Sequence, residues 1–116
     1  MNIDKLKQAL EIAKLLDGDE PQEVIAVGGK VIVRSRDAGV LYGTLSSIEG
    51  SNVNLLNARQ MWKWFAKEGH TLVDVATHGV VASKCKFSLS NATVLVINAC
   101  AVIDVADVAA KSIEAA

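Results

Sequence analysis

The strongest constraint on the fold is a series of short, mostly apolar runs joined by short turns. Val31–Val33 forms the first run, Val40–Leu45 forms the second, and the third begins at Val53. Asp37–Gly39 and Glu49–Asn52 separate these runs, and both are typical turn sequences. Strands joined by such short links pair with their sequence neighbours in opposite directions. The segment therefore predicts an antiparallel meander of three strands.

Helices are expected at both ends of the chain and in its middle. Apolar residues recur at nearly helical spacing over residues 2–16, which predicts an N-terminal helix with a wide apolar stripe. Thr71, followed three residues later by Asp74, predicts a short helix over residues 71–78 with a form of capping box. A last helix is expected over residues 104–115, with Asp104 as its N-cap.

Two further strands are expected after the short helix, at residues 87–89 and 93–103. A length of 116 residues is typical of one domain, here 1–116, with its sheet region at residues 24–103. The predicted fold class is α+β. It is an antiparallel sheet or small partly open barrel of about five strands, with N-terminal, short central and C-terminal helices.

Composition bears on the possible partners. Hydrophobic residues make up 51% of the chain, which predicts that apolar surface is shared between subunits of a homo-oligomer. The net charge of −1 gives no general attraction to nucleic acid or to an anionic membrane, so both partners are disfavoured. No apolar run approaches the ~20 residues of a membrane-spanning helix, and no secretory signal is visible. We therefore expect a soluble, intracellular protein.

No catalytic, metal or cofactor motif can be assembled from the sequence. His70 and His78 lack the closer spacing and further ligands of a zinc site. Gly28–Lys30 leads into a strand, whereas a phosphate-binding loop leads into a helix. Cys85 has no histidine close in sequence that would make it a catalytic nucleophile. The chain is therefore predicted not to be an enzyme and to use no metal or cofactor.

The segment Asn57–Trp64 carries the strongest functional signal. It contains both tryptophans of the chain together with Arg59 and Lys63. On a regular strand, Trp62 and Trp64 would share one face and the basic residues the other. Aromatic surface beside fixed positive charge suits a ligand with a flat ring and an anionic group, such as a nucleotide. The alternative is that the tryptophans complete a core that has few other aromatic residues.

All three arginines of the chain lie on the first and third predicted strands. Arg34 and Arg36 alternate along the first strand, so they point to one face and would approach Arg59 if these strands were neighbours. Guanidinium groups bind phosphate in bidentate fashion. The alternative is that these charges protect a sheet edge from aggregation. The candidate ligand-binding residues are Arg34, Arg36, Asn57, Arg59, Trp62 and Trp64.

Several of these residues also belong to a wider pattern. It comprises Val33–Arg36, Ala38–Val40, Gly43, Leu45, Glu49–Gly50, Asn57–Arg59, Trp62, Trp64, Leu72, Ala76, Gly79 and Cys85–Ser88. Over residues 31–103 the chain resembles a group of small uncharacterised phage and prophage proteins. The resemblance implies a phage context and supplies no mechanism.

Small non-enzymatic phage proteins serve as virion parts or as inhibitors of host defence. One class of inhibitors consists of oligomeric sponges, such as the Thoeris anti-defence proteins, that sequester nucleotide signals. By analogy, the expected function is oligomeric, non-enzymatic binding of a nucleotide-derived small molecule in the host cytoplasm. The alternative is a virion component, a head-associated or decoration protein in contact with other virion proteins, whose tryptophans are buried at subunit contacts.

Overall fold

A computed structural model describes residues 25–116 of the chain. Over this range the fold is α+β, as predicted, and consists mostly of an open antiparallel sheet of six strands with two helices. The helix predicted over residues 2–16 lies outside the described residues. The elements are β1 (Lys30–Ser35), β2 (Gly39–Glu49), β3 (Asn52–Lys63), α1 (Leu72–His78), a 3-10 turn (Ala82–Lys84), β4 (Lys86–Phe87), β5 (Asn91–Val96), β6 (Ala99–Asp104) and α2 (Asp107–Ala115).

The meander of β1, β2 and β3 forms the centre of the sheet, as the turn sequences predicted. The strand order is β4-β3-β2-β1-β6, and β5 also pairs with β3. Two short strands therefore share the outer edge of β3. Strand β5 pairs with its first part, from Val53 to Ala58, and β4 pairs with its end, at Met61 and Lys63.

The sheet curls, since β5 and β6 are consecutive in the chain and yet pair with the two opposite edges of the meander. Only two residues separate β5 from β6. Ala99 pairs with Ser35 of β1, while its amide donates a hydrogen bond of 2.8 Å to the carbonyl of Ser51 in the turn between β2 and β3. Asn98, with φ of 60°, turns the chain here. The single strand expected over 93–103 is therefore two strands, which makes six rather than about five.

The two faces of the curled sheet bury separate cores. Residues alternate along β1, so Val31 and Val33 enter the inner core while Ile32 enters the core beneath the helices. The inner core consists of Val31, Val33, Leu41, Leu45, Val53, Leu55, Ala58 and Val96. The helix-side core consists of Ile32, Tyr42, Met61, Ala66, Leu72, Val75, Ala76, Val80, Val105, Ala109, Ala110 and Ile113.

The two helices begin in different ways. At the start of α1, the Thr71 hydroxyl accepts from the Asp74 amide, and the Asp74 carboxylate accepts from the Thr71 amide, so the predicted capping box is confirmed. At α2, the prediction that Asp104 is the N-cap is wrong. Asp104 pairs with Val31 and prolongs β6, so α2 begins at Asp107 after an N-cap at Ala106 that makes no side-chain hydrogen bond.

Candidate functional site

A β-bulge at Trp62 determines which side chains of the tryptophan segment are exposed. Met61 pairs with Phe87 and Lys63 pairs with Lys86, so β3 has one more residue here than β4. The extra residue shifts the alternation by one position. Trp62 and Lys63 are both exposed, and Trp62 retains 74% of its accessible surface. The prediction that the two tryptophans share one face is therefore wrong.

Trp64 lies in the core beneath the helices. It is half-buried and packs against the helix-side core, on the same side of the chain as Met61. Beyond the bulge the alternation continues in its shifted phase, since Phe65 is exposed and Ala66 is buried. One tryptophan thus completes the core, which was the structural alternative, and the other is available to a ligand.

Two exposed aromatic rings in this region each have a lysine ammonium close to them. Nζ of Lys86 lies 5.7 Å from the centre of the Trp62 ring, and Nζ of Lys84 lies 4.3 Å from the centre of the Phe65 ring. Both distances are within the range of cation–π attraction. Lys63 is exposed beside them. We call this region the aromatic–lysine surface, and define it as Trp62, Lys63, Phe65, Lys84 and Lys86.

The aromatic–lysine surface is basic although the chain as a whole is slightly acidic. Residues 62–68 and 84–86 contain four lysines and a single acidic residue, Glu68. Within residues 25–116, the ion pairs join Lys30 to Glu114 and Arg36 to Asp37, and neither involves these lysines. The aromatic–lysine surface therefore combines aromatic faces with positive charge that the described carboxylates do not neutralise.

Arg59 holds the C-terminal helix against the sheet. Its Nε donates to the Ser88 carbonyl at 2.8 Å, and its Nη1 donates to the Ile113 carbonyl at 2.9 Å. The guanidinium also lies 5.2 Å from the centre of the Phe87 ring. Because Ile113 is near the end of α2, the positive charge also complements the helix dipole. The arginine expected to bind phosphate therefore has a structural role.

A polar cavity of about 330 Å³ lies between the sheet and the end of α2. Two of the predicted site residues, Asn57 and Arg59, line it. Asn57 has φ of 51° at an irregularity of β3, a backbone conformation that asparagine tolerates better than most residues. We call this the Tyr42 cavity, and its lining residues are Lys30, Tyr42, Thr44, Asn57, Arg59, Ser90 and Glu114.

Two of the charged groups of the Tyr42 cavity, Lys30 and Glu114, are paired with each other. The Glu114 carboxylate accepts a hydrogen bond from the Tyr42 hydroxyl and another, of 3.0 Å, from Lys30 Nζ. The Tyr42 hydroxyl and the Lys30 ammonium both lower the pKa of Glu114. Burial, followed by the contact with Glu114, raises the pKa of Tyr42. Because the Glu114 carboxylate already accepts the hydrogen bonds of Lys30 and Tyr42 and would repel a second anion, the cavity is a poor receptor for an anion.

Arg34 and Arg36 take no part in the Tyr42 cavity. Arg34 is exposed on β1 between its pairing partners Val40 and Ala101. Arg36 lies in the turn between β1 and β2, where its Nε is 3.4 Å from an Asp37 carboxylate oxygen. The expected arginine cluster thus separates into a strand residue, a turn residue and the helix contact made by Arg59.

Sequence reasoning missed Phe65, Lys84 and Lys86 as partners of Trp62. Phe65 follows the tryptophan segment directly, so its proximity was a visible signal. The two lysines lie more than twenty residues away, and the pairing of β4 with β3 brings them close. The residue between them, Cys85, is half-buried, and its thiol donates to the Val81 carbonyl at 3.3 Å.

Comparison of the chain with known proteins identifies the family to which it belongs. Among residues 25–116, no helix is long and apolar enough to cross a membrane, and no three side chains of His, Cys, Asp or Glu are grouped as metal ligands. No curated protein and no solved structure matches the chain. A family model described as a domain of unknown function, DUF6948, matches residues 28–113, which include the whole aromatic–lysine surface. The chain therefore belongs to the DUF6948 family.

Proposed function

We propose that this protein is a non-enzymatic binding protein for a nucleotide-derived anion, which it sequesters on the aromatic–lysine surface. The observation that carries the proposal is the exposure of Trp62 beside a lysine ammonium. An aromatic ring of this size is usually well buried, and two exposed rings on neighbouring segments, Trp62 and Phe65, mark a contact surface. Lys86 approaches the ring, and most of the ring surface remains accessible for a base to stack.

In this proposal, lysines bind the phosphate, a role that the sequence-based hypothesis gave to the arginines. A base stacked on Trp62 would bring its phosphate close to Lys63 and Lys86, which are exposed at the same bulge. Stacking on an aromatic side chain contributes about 1–3 kcal/mol per base, and this applies to every base because each has a π-face. The geometry therefore favours recognition of the nucleotide class over a particular base.

The experiment is a titration with AMP and ATP in which binding is monitored by tryptophan fluorescence. A Trp64→Phe variant makes Trp62 the only tryptophan reporter and preserves an aromatic side chain in the core. We expect saturable quenching that is stronger for ATP, because it carries more negative charge, and that weakens with added salt. Lys111→Ala, which removes an exposed lysine of α2, is the matched control. If neither AMP nor ATP quenched the fluorescence, the proposal would be refuted.

We also propose that the protein acts as a homo-oligomer. Within residues 25–116, β5 pairs with β3 along one edge, and its other edge has no strand partner. Apolar side chains are exposed along this strand and its flanks, including Leu89 (90% exposed), Leu95 (51%) and Ile97 (57%). An open strand edge with apolar neighbours favours pairing with another chain. Light scattering should give a mass of two or more chains, and Leu95→Lys should reduce that mass.

A virion role is the second candidate, and the same exposed apolar residues favour it. If the protein belongs to a phage, these residues would contact other virion proteins. The sequestering role places the protein in the host cytoplasm instead. Mass spectrometry of purified virions distinguishes the two roles, since a sequestering protein would be absent from the particle. Binding of AMP or ATP that depends on Trp62 would support sequestration.

A further inference from the structure

The aromatic–lysine surface contains the same unit twice. Trp62 with Lys86 forms one ring–ammonium pair, and Phe65 with Lys84 forms the second. The two rings are three positions apart along the chain, so their Cα atoms lie at most about 10 Å apart. The two lysines are separated by one residue. Each unit supplies a flat face for a base and a charge for a phosphate.

We infer that the ligand contains at least two linked nucleotides, as in a short single-stranded oligonucleotide. This inference rests on the proposed function, because it assumes that Trp62 stacks a base. A mononucleotide would use one ring and leave the other exposed to water. Two bases joined by a phosphodiester would use both rings, and their phosphate would be shared by the lysines. Single-strand binding proteins combine stacking platforms and positive charge in this way.

The shape of the surface supports a chain-like ligand. Trp62 and Phe65 are 74% and 47% exposed, and the three lysines of this surface are exposed as well, so the surface is open. Small-molecule sites are concave and enclose most of the ligand. An open surface cannot enclose a mononucleotide, but it can bind an extended strand by repeating one contact. The charge also suits a polyanion, because residues 62–68 and 84–86 contain four lysines and a single glutamate.

The net charge of the chain does not predict whether this surface binds nucleic acid, because the local charge differs from it. The net charge of −1 disfavoured nucleic acid as a partner of the whole protein. Charges separated by more than about 8 Å are largely screened at physiological salt, so a phosphate at this surface responds chiefly to the nearby lysines. The structure brings residues 84–86 to the end of β3 and so concentrates the positive charge.

The test is a length series of thymidine 5′-monophosphate and oligothymidylates of two, four and six nucleotides. Binding is measured at low salt by calorimetry with the full chain. We expect affinity to rise at least about fivefold from one nucleotide to two, the lower end of the stacking range. Phe65→Ala should abolish this rise, so that the variant binds the dinucleotide no more tightly than the monophosphate. Lys84→Ala should reduce the salt dependence of dinucleotide binding, and Lys111→Ala should leave every value unchanged.

The outcomes separate this inference from the proposed function. Equal affinity for the monophosphate and the oligonucleotides would overturn the inference and leave nucleotide binding standing. A rise with length that persists in Phe65→Ala would also overturn it. Poly-glutamate that bound as tightly as the six-nucleotide strand would show that charge alone is recognised, which contradicts a role for the rings. If no member of the series bound, the proposed function would fail as well.

Discussion

Lys63 and Lys86 lie directly opposite each other across β3 and β4. Like charges in this position destabilise a sheet, whereas opposite charges stabilise it. Both side chains are exposed, and the described ion pairs do not include them. The arrangement therefore weakens the end of the sheet, and a bound polyanion would relieve the repulsion.

Replacing one of these lysines by an acid should change stability and binding in opposite directions. Lys86→Glu creates a cross-strand pair of opposite charge, so we expect the free energy of unfolding to rise by about 0.2–1 kcal/mol. The same change removes the ammonium next to Trp62 and adds a negative charge, so nucleotide affinity should fall. Urea denaturation and a nucleotide titration measure the two effects. Unchanged affinity in a stabilised variant would argue against the aromatic–lysine surface as the binding site.

The two tryptophans should respond differently to removal. Trp64→Ala leaves space in the helix-side core and should lower the free energy of unfolding by about 2–4 kcal/mol, somewhat less than for a fully buried tryptophan. Trp62→Ala removes an exposed ring and should change stability by less than about 0.5 kcal/mol. Chemical denaturation compares them directly, and nucleotide titration should show the loss of binding in Trp62→Ala alone. Equal destabilisation by both changes would contradict the bulge at Trp62.

The correct parts of the sequence-based prediction rest on local signals. The turn at Gly39 and the capping box of Thr71 and Asp74 each depend on residues within a few positions of each other, and both are present. The start of α2 was wrong because Asp104 resembles a cap locally but is bound to the sheet by Val31, a distant residue. Long-range pairing overrides local preference in such cases.

The candidate site was predicted only in part, and the reason is that its geometry depends on strand pairing. The bulge at Trp62 arises where β4 joins β3, and no feature of residues 57–64 indicates it. Without the bulge, the alternation assigns Trp64 to the wrong face. Arg59 shows the same limitation, since its partners, the carbonyls of Ser88 and Ile113, are backbone groups from distant segments. Sequence periodicity carries no information about either contact.

Arg59 should matter for stability rather than for ligand binding. Arg59→Ala removes two hydrogen bonds from a charged group to backbone carbonyls, and it leaves the end of α2 without that contact. We expect a loss of about 1–2 kcal/mol in the free energy of unfolding, at the lower end of the charged range because the group is half-exposed. Arg36→Ala, at an exposed turn residue, is the control and should cost less than about 0.5 kcal/mol. Thermal and urea denaturation of both variants tests this.

The contact between Tyr42 and Glu114 should make stability depend on pH at both extremes. The pKa of Glu114 is lowered from its ordinary value of 4.5, chiefly by the hydrogen bond from Tyr42 and then by Lys30. A carboxyl group whose pKa is lowered on folding stabilises the fold above its ordinary value, and this contribution is lost as pH falls through the lowered pKa. The pKa of Tyr42 is raised above 10.0, so its contribution is complete below that pH and is lost as pH rises further.

Tyr42→Phe removes the hydroxyl and keeps the buried ring, so it tests this contact with little change in packing. We expect a loss of about 1 kcal/mol at neutral pH, because the hydrogen bond is to a charged but half-exposed carboxylate. The difference in melting temperature between Tyr42→Phe and the unmodified protein should shrink below pH 4 and above pH 10, where Glu114 is protonated or Tyr42 ionises. Lys30→Met removes the second donor to Glu114. It should therefore alter how the melting temperature changes with pH at low pH, and not how it changes above pH 10. A difference that stayed constant from pH 3 to pH 11 would show that the hydroxyl stabilises the fold through some contact other than Glu114.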